Sequence, residues 1–400
     1  SELSCREFCE RVWRSVNRSD ADGLRGLLDP ANVSIRDLVQ EDSFLHNCAQ
    51  HQDKNWTDFL REYLMMRKCK HQGNAGRALE CAQAVIKAIV TAYVDADEGS
   101  WLVPSLQLLT MWIRKLENPG SDPTAATKEL ISTLRDVFKT LNREKSKRIG
   151  MLWITCELLR AYFALGQINQ CQFLINAIIQ LYQKEGGLNQ NEIPKSIGVT
   201  LFFFWGKHCV FDYKFQDADA KLTWALRNCP PGQKGFKARK RILEYLVPCK
   251  LRLGILPSEE GLKRYGLDVF IDLTRAVREG DVRLFDERLE EHSIKFIRSG
   301  TYLLLEKLKL LVYRNLCRHV HSIELQRLIA ETGKAATQIS IAPFEVALRW
   351  QDDCTPDETV CILSNLIYQK AIKGYISNEH KKIVFSKDKP FPPVSTWRSS

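Results

Sequence analysis

Phe202–Pro230 reads FFFWGKHCVFDYKFQDADAKLTWALRNCP. Phe202, Trp205 and Cys209 recur at helical spacing, and Ala218, Leu222 and Ala225 do so again after a polar interval, which predicts two helices in succession. Gly206 and the two alanines are small where paired helices must approach closely. Pro230 ends the second helix, because its nitrogen cannot donate to the helical ladder. The stretch is a helical hairpin packed on its small residues.

Those same positions have the residue types and spacing of a tetratricopeptide repeat. Outward from it the hairpins continue without a clean period. Over Ile149–Tyr182 one helix (Leu152, Cys156, Leu159, Phe163) reaches Gly166 and a second (Phe173, Ala177, Leu181) follows; Leu267–Glu279 and Val282–Glu291 form another pair about Glu279-Gly280-Asp281. Gly and Pro break the pattern at Asp29-Pro30, Asn118-Pro119-Gly120, Gly186-Gly187 and Cys229-Pro230-Pro231-Gly232, where the ladder cannot continue. Glu117–Thr127 is the expected boundary of an N-terminal helical region. In such a stack each hairpin buries its apolar face only against the next, so the array needs an end cap.

The C-terminal region is expected to supply that cap. A long helix over Tyr302–His321 carries an apolar stripe of Leu304, Leu305, Leu308, Leu311 and Val312. Thr355-Pro356-Asp357-Glu358 is an N-cap followed by Pro at the first helical position and a Glu that completes a capping box. After Lys373-Gly374, Tyr375–Ser377 and Lys382–Ser386 read as two strands joined by Asn378–Lys381. Helices leading into a short hairpin predict a winged helix. The fold class is therefore all-α: a helical-hairpin solenoid of tetratricopeptide type, capped by a winged helix with a small β-hairpin. The expected parts are an N-terminal helical region over 1–142, repeats over 143–300, the winged helix over 301–389 and a Pro-containing tail over 390–400.

Composition agrees with a folded protein. Of 400 residues 44% are hydrophobic and 26% charged, close to globular averages. No apolar run approaches the roughly 18 residues of a membrane span, the richest, Leu201–Trp205, being followed at once by Lys207 and His208. Ser1–Arg14 interleaves charges with apolar residues, as an amphipathic helix does and a secretory signal does not. The 13 cysteines are odd in number and contain no Cys-x-x-Cys pair, which predicts reduced thiols in a nuclear or cytosolic protein.

The chain also carries a specific likeness. Tyr245-Leu-Val-Pro248-Cys-Lys-Leu-Arg-Leu-Gly254, Leu273-Thr-Arg-Ala-Val-Arg-Glu-Gly280, Phe296-Ile-Arg-Ser-Gly300 leading into Leu304-Leu-Glu-Lys-Leu308, Ile362-Leu-Ser-Asn-Leu-Ile-Tyr368 and Lys373-Gly-Tyr-Ile-Ser377 together resemble the PCI domain-containing protein 2 family. The resemblance is clearest over Ile149–Thr396 and weaker in the N-terminal third. It implies a PCI protein, with helical repeats joined to a winged helix. It further implies a subunit of the nuclear-pore-associated transcription and mRNA export complex (TREX-2), paired with a GANP-type scaffold and a small acidic DSS-type protein. The implied location is the nucleus, at the nuclear pore, with a cytoplasmic share left open.

Lys and Arg number 58 against 48 Asp and Glu, a formal charge of +10, which suits an acidic partner. The densest basic segment is Gln233–Arg252, where Lys234, Lys237, Arg239, Lys240, Arg241, Lys250 and Arg252 face only Glu244. Lys237 and Arg241 lie one turn apart on one helix face. Such a run by itself is commonly a solvated face, but the resemblance favours nucleic-acid binding. A second group, Lys370, Lys373, Lys381, Lys382, Lys387 and Lys389, flanks the wing and suits phosphate contacts; lysines that guard an exposed strand edge explain it equally well. Asp357 and Glu358 would repel phosphate from the first turn of the helix that would enter a DNA groove, so contacts to RNA or DNA backbone are expected rather than base reading through that helix. The expected nucleic-acid-binding residues are Lys234, Lys237, Arg239, Lys240, Arg241, Lys370, Lys373, Lys381, Lys382 and Lys387.

Other readings have less support. Trp224, Phe236, Tyr245 and Tyr265 are of the type that anchors interfaces, but aromatics at helical spacing are more often core. His319-Val320-His321 invites comparison with metal-dependent isopeptidases, yet the Pro, Ser and Asp expected downstream are missing, and two histidines at a helix end that favour its negative dipole explain the pair. His46 and His51, five apart, share no helix face and make a poor metal pair. No phosphate-binding glycine loop, dinucleotide turn or nucleophile elbow occurs. The expectation is a protein without catalytic residues, metal or cofactor. The rival readings are a purely structural PCI subunit of a proteasome-lid-like or translation-initiation-like assembly, and a hydrolase built on His319 and His321.

Overall fold

A computed structural model describes residues 2–50, 53–114, 123–183, 192–333 and 336–394. The expected breaks at Asn118-Pro119-Gly120 and Gly186-Gly187, His51 and the last six residues of the tail lie outside them. The chain forms two compact units, Ser1–Phe204 and Trp205–Ser400, so the division falls within the segment 143–300.

The first unit begins with β1 (Glu2–Leu3), α1 (Cys5–Asn17), α2 (Ala21–Leu28) and β2 (Ser34–Ile35), β1 pairing in parallel with β2. Helices α3 (Asp42–Ala49), α4 (Lys54–His71), α5 (Ala75–Asp95), α6 (Val103–Ile113), α7 (Pro123–Leu141), α8 (Arg148–Ala164) and α9 (Ile168–Gln183) follow, and α10 (Lys195–Phe211) begins here. Ser4 caps α1, its hydroxyl accepting from the Glu7 N–H while the Glu7 carboxylate accepts from the Ser4 N–H. The core of α1, α2 and α4 is aromatic: Phe8 stacks on Tyr63 at 5.7 Å, and the buried Tyr63 hydroxyl donates to the Leu28 carbonyl at 2.8 Å. Helix α8 is buried on most of its circumference, and the cost is visible at Glu157. Burial raises that carboxyl's pKa although Arg160 and Arg114 lie 3.6 and 3.1 Å away.

In the second unit α11 (Phe215–Asn228) packs on the end of α10 as the small residues require. A Cβ at Gly206 would lie 2.6 Å from Leu222 Cγ, and Ala218, Leu222 and Ala225 are fully buried. Helix α12 (Gly232–Arg252) turns back immediately, and a Cβ at Gly235 would meet the Pro230 carbonyl oxygen at 1.8 Å. Next come α13 (Glu259–Arg264), α14 (Val269–Glu279), α15 (Val282–Glu291), α16 (Ser293–Ser299), α17 (Tyr302–Glu306) and α18 (Lys309–Thr332), then β3 (Gln338–Ser340), α19 (Ala342–Asp352), α20 (Pro356–Tyr368), β4 (Gly374–Ser377) and β5 (Lys382–Phe385). The order from α18 to β5 is that of a winged helix.

One core joins these elements. Val247 and Leu251 of α12, Leu273 and Val277 of α14, Leu311 and Val312 of α18, Leu363 and Leu366 of α20, and Ile383 and Phe385 of β5 share it. Asn315 donates from its side chain to the Val277 carbonyl at 2.6 Å, and buried Arg314 donates to the carbonyls of Phe391 and Pro392 at 3.1 and 3.0 Å. The start of the tail therefore packs against α18.

All-helical hairpins leading to a winged helix are what the periodicity predicts, with three corrections. The helix expected over Tyr302–His321 is two, α17 and α18, broken at Lys307-Leu308, and the second runs on to Thr332. His319 and His321 are thus mid-helix: His319 Nδ1 lies 2.9 Å from the Glu279 carbonyl oxygen, and the His321 ring packs on Phe385 and Phe391. His319 ties α18 to the end of α14 and His321 ties it to β5 and the tail, so neither sits at the end of α18. The sheet has three antiparallel strands in the order β3-β5-β4 where two were expected.

Candidate nucleic-acid interface

Helix α12 sorts its cations by direction. Residues 234, 237 and 241 fall on one face at i, i+3 and i+7, and Lys234, Lys237 and Arg241 are all exposed. Lys234 and Lys237 form no ion pair among the described residues. Arg239 points the other way, half-buried: it donates to the carbonyls of Pro230 at 3.2 Å and Cys229 at 3.0 Å, and to the Tyr265 hydroxyl at 3.3 Å. These carbonyls close the end of α11, where helical partners run out. Lys240 is half-buried, with its ammonium beside Gly266. Lys250 pairs with Asp219 at 2.7 Å, and the Arg252 guanidinium lies over the Phe215 ring at 5.5 Å. Of the seven cations read as one group, the structure gathers Lys234, Lys237 and Arg241 at the surface.

The aromatics of this region divide likewise. Tyr245 is buried and its hydroxyl donates to the Ser299 carbonyl at 2.9 Å. Phe236 and Tyr265 are half-buried and stack on each other, ring centroids 5.5 Å apart.

On the wing, Lys370, Lys373, Lys381, Lys382, Lys387 and Lys389 are all exposed. Backbone hydrogen bonds hold the chain at Lys373 and Lys381. The Lys373 N–H donates to the Pro390 carbonyl at 2.8 Å and its own carbonyl accepts from the Ser386 N–H at 2.9 Å; the Lys381 carbonyl accepts from the Ile341 N–H at 3.1 Å. Lys370, Lys381 and Lys389 sit at φ of 61°, 47° and 45°, the left-handed region that turns the chain sharply. Because β5 is the middle strand, Lys382 on it guards no sheet edge. Edge protection, one of the two explanations for this group, has no edge to act on at Lys382.

Helix α20 starts as its sequence dictates. Glu358 accepts from the Thr355 N–H at 2.8 Å and hydroxyl at 2.9 Å, and the Glu358 N–H donates back to Thr355 Oγ1 at 3.3 Å. Hydrogen bonds from Thr355 hold the Glu358 carboxyl below its usual pKa, so the first turn keeps its negative charge. The exposed positions of the helix, Pro356, Asp357, Glu358, Cys361, Ser364, Asn365 and Tyr368, include no cation.

No helix among the described residues is long and apolar enough to cross a membrane, and no cluster of three metal-ligating side chains occurs among them. None of the cysteines forms a disulfide, and burial raises most of their thiol pKa values, as at Cys249, pushed up to about 12.

Residues 289–387 match a family model described as the PCI domain, which runs from the end of α15 just past β5. Enhanced ethylene response protein 5 of Arabidopsis thaliana is 36% identical over 97% of this chain and 95% of its own length. PCI domain-containing protein 2 of Danio rerio is 34% identical over 99% of each chain. Protein CSN12 homolog of Gibberella zeae is more distant, 24% identical over 95% of this chain and 91% of its own.

Proposed function

The chain belongs to the PCI domain-containing protein 2 family, a family of PCI scaffold subunits, and from that premise we propose that it is a non-enzymatic subunit of a transcription-coupled mRNA export complex at the nuclear pore. In this reading it works in the nucleus, its helical repeats and winged helix dock a GANP-type scaffold and a small acidic DSS-type protein, and its basic residues hold RNA or DNA by the phosphate backbone. The role is placement and not chemistry.

The observation that carries the nucleic-acid part is the set of exposed cations: Lys234, Lys237 and Arg241 on α12, and Lys370, Lys373, Lys381, Lys382 and Lys387 about the wing. Lys234 and Lys237, which form no ion pair among the described residues, can replace the counterions of a polyanion, which is the main source of such affinity. The acidic first turn of α20 and the absence of any cation among its exposed positions support backbone contact without groove reading. Arg239 belongs with the structural contacts, since its donors meet Cys229, Pro230 and Tyr265.

The test is co-expression with a GANP-type scaffold and the acidic protein, followed by RNA binding at two salt concentrations. A stable assembly whose RNA affinity falls steeply with salt is the expected result. A stable assembly without RNA affinity would leave a purely structural subunit.

A further inference from the structure

Beside the exposed cations of α12 lies an aromatic cleft that phosphate contacts alone do not use. Pro231, Gln233, Phe236, Arg239, Arg264 and Tyr265 line an open space of about 460 Å³, within the range of ligand clefts. Phe236 and Tyr265 stack within it, 23° from parallel, and Arg239 fixes the second ring through its hydroxyl. No carboxylate lines the cleft. Arg264 is exposed on its α13 side, and Lys234 and Lys237 flank Phe236 on α12.

We propose that this cleft is a base-stacking slot for single-stranded nucleic acid: one unpaired base lies against the Phe236–Tyr265 pair while Lys234, Lys237 and Arg264 meet the neighbouring phosphates. The proposal rests on the nucleic-acid reading above and adds that the strand is single. Bases of a duplex stack on each other and offer no open face, whereas an unpaired base gains most from a preformed ring platform in a cationic surround. Each base has a π-face, so the slot is tolerant of sequence. A purely apolar ligand would gain nothing from the cations at the rim. A purely acidic peptide would gain nothing from the rings.

The experiment compares a short single-stranded RNA, the same strand with abasic sites and a duplex of equal length, each titrated onto the full chain. Wild type is expected to bind the intact strand about 10-fold more tightly than the abasic one. Phe236→Leu is expected to weaken the intact strand by the same factor, with the salt slope and duplex affinity unchanged, and Phe236→Trp to keep wild-type affinity. Should Phe236→Leu fail to fold, the abasic comparison on wild type decides without any substitution. Equal affinity of wild type for intact and abasic strands overturns the slot. If Lys234→Gln with Lys237→Gln still weakens both, the phosphate reading survives that loss; if wild type binds no nucleic acid at all, both fall. Loss of a synthetic Asp- and Trp-rich peptide by Phe236→Leu with RNA binding intact would assign the cleft to protein and overturn the slot.

Discussion

The His321 ring meets the Phe385 ring edge-on, centroids 4.4 Å apart, so the second histidine of His319-Val320-His321 fastens α18 to the middle strand of the sheet. Burial lowers the pKa of His321 below the usual imidazole value, and the same cause acts first at His208. Both groups therefore bind protons more readily in the unfolded chain. Their contribution to stability is full above the ordinary value of about 6.5 and is lost as pH falls through the lower native value. Urea midpoints measured from pH 7.5 downward are expected to fall, and His321→Leu is expected to make that fall shallower, with His208 responsible for a remainder.

Gly206→Ala tests the close approach of α10 and α11. The added methyl would begin 2.6 Å from Leu222 Cγ and 3.2 Å from its backbone nitrogen, so the helices must part. Overpacking of this kind costs about 1–3 kcal/mol, while alanine's better helix propensity returns at most about 1 kcal/mol. A lower thermal midpoint is expected; an unchanged or raised one would show that the hairpin yields without cost.

Arg239 and Lys237 stand two residues apart on α12 and should behave differently. Arg239→Gln removes donors from the Cys229 and Pro230 carbonyls and from the Tyr265 hydroxyl, a loss of about 1–3 kcal/mol, and is expected to lower the denaturation midpoint with little change in the salt slope of RNA binding. Lys234→Gln and Lys237→Gln together are expected to leave stability nearly constant and to reduce the slope for a single strand by about 1.4. Titration across a salt series, beside a melt of each protein, separates the two.

Thr355→Ala deletes the hydroxyl side of the capping box at α20 and is expected to cost about 1 kcal/mol. Thr355→Ser restores the acceptor and should recover most of it. Chemical denaturation of the three proteins checks the order.

Local chemistry made much of this fold readable. Gly206, Ala218, Leu222, Ala225 and Pro230 announce the α10–α11 hairpin because each acts on its own helix or the adjacent one, and Thr355 and Glu358 announce α20 by a contact three residues long. The third strand was hidden because Gln338-Ile339-Ser340 offers a single buried apolar side chain and finds its partners more than forty residues later, on β5. The direction of Arg239 was equally hidden, since helical spacing places it among lysines and only the turn at Pro230-Pro231 brings the end of α11 to it. The stacking of Phe236 on Tyr265 depends on the return of α13 toward α12 and has no local signature. In each case the missed feature is a long-range one.

The bond from the Ile341 N–H to the Lys381 carbonyl ties the tip of the wing to the start of α19. A tip held in that way has already lost its backbone entropy in the folding of the protein, at roughly 1–2 kcal/mol per residue, and need not lose it again when a ligand arrives. The lysines about it therefore project from backbone positions already set in the fold, and only their side chains remain to be ordered by whatever they meet.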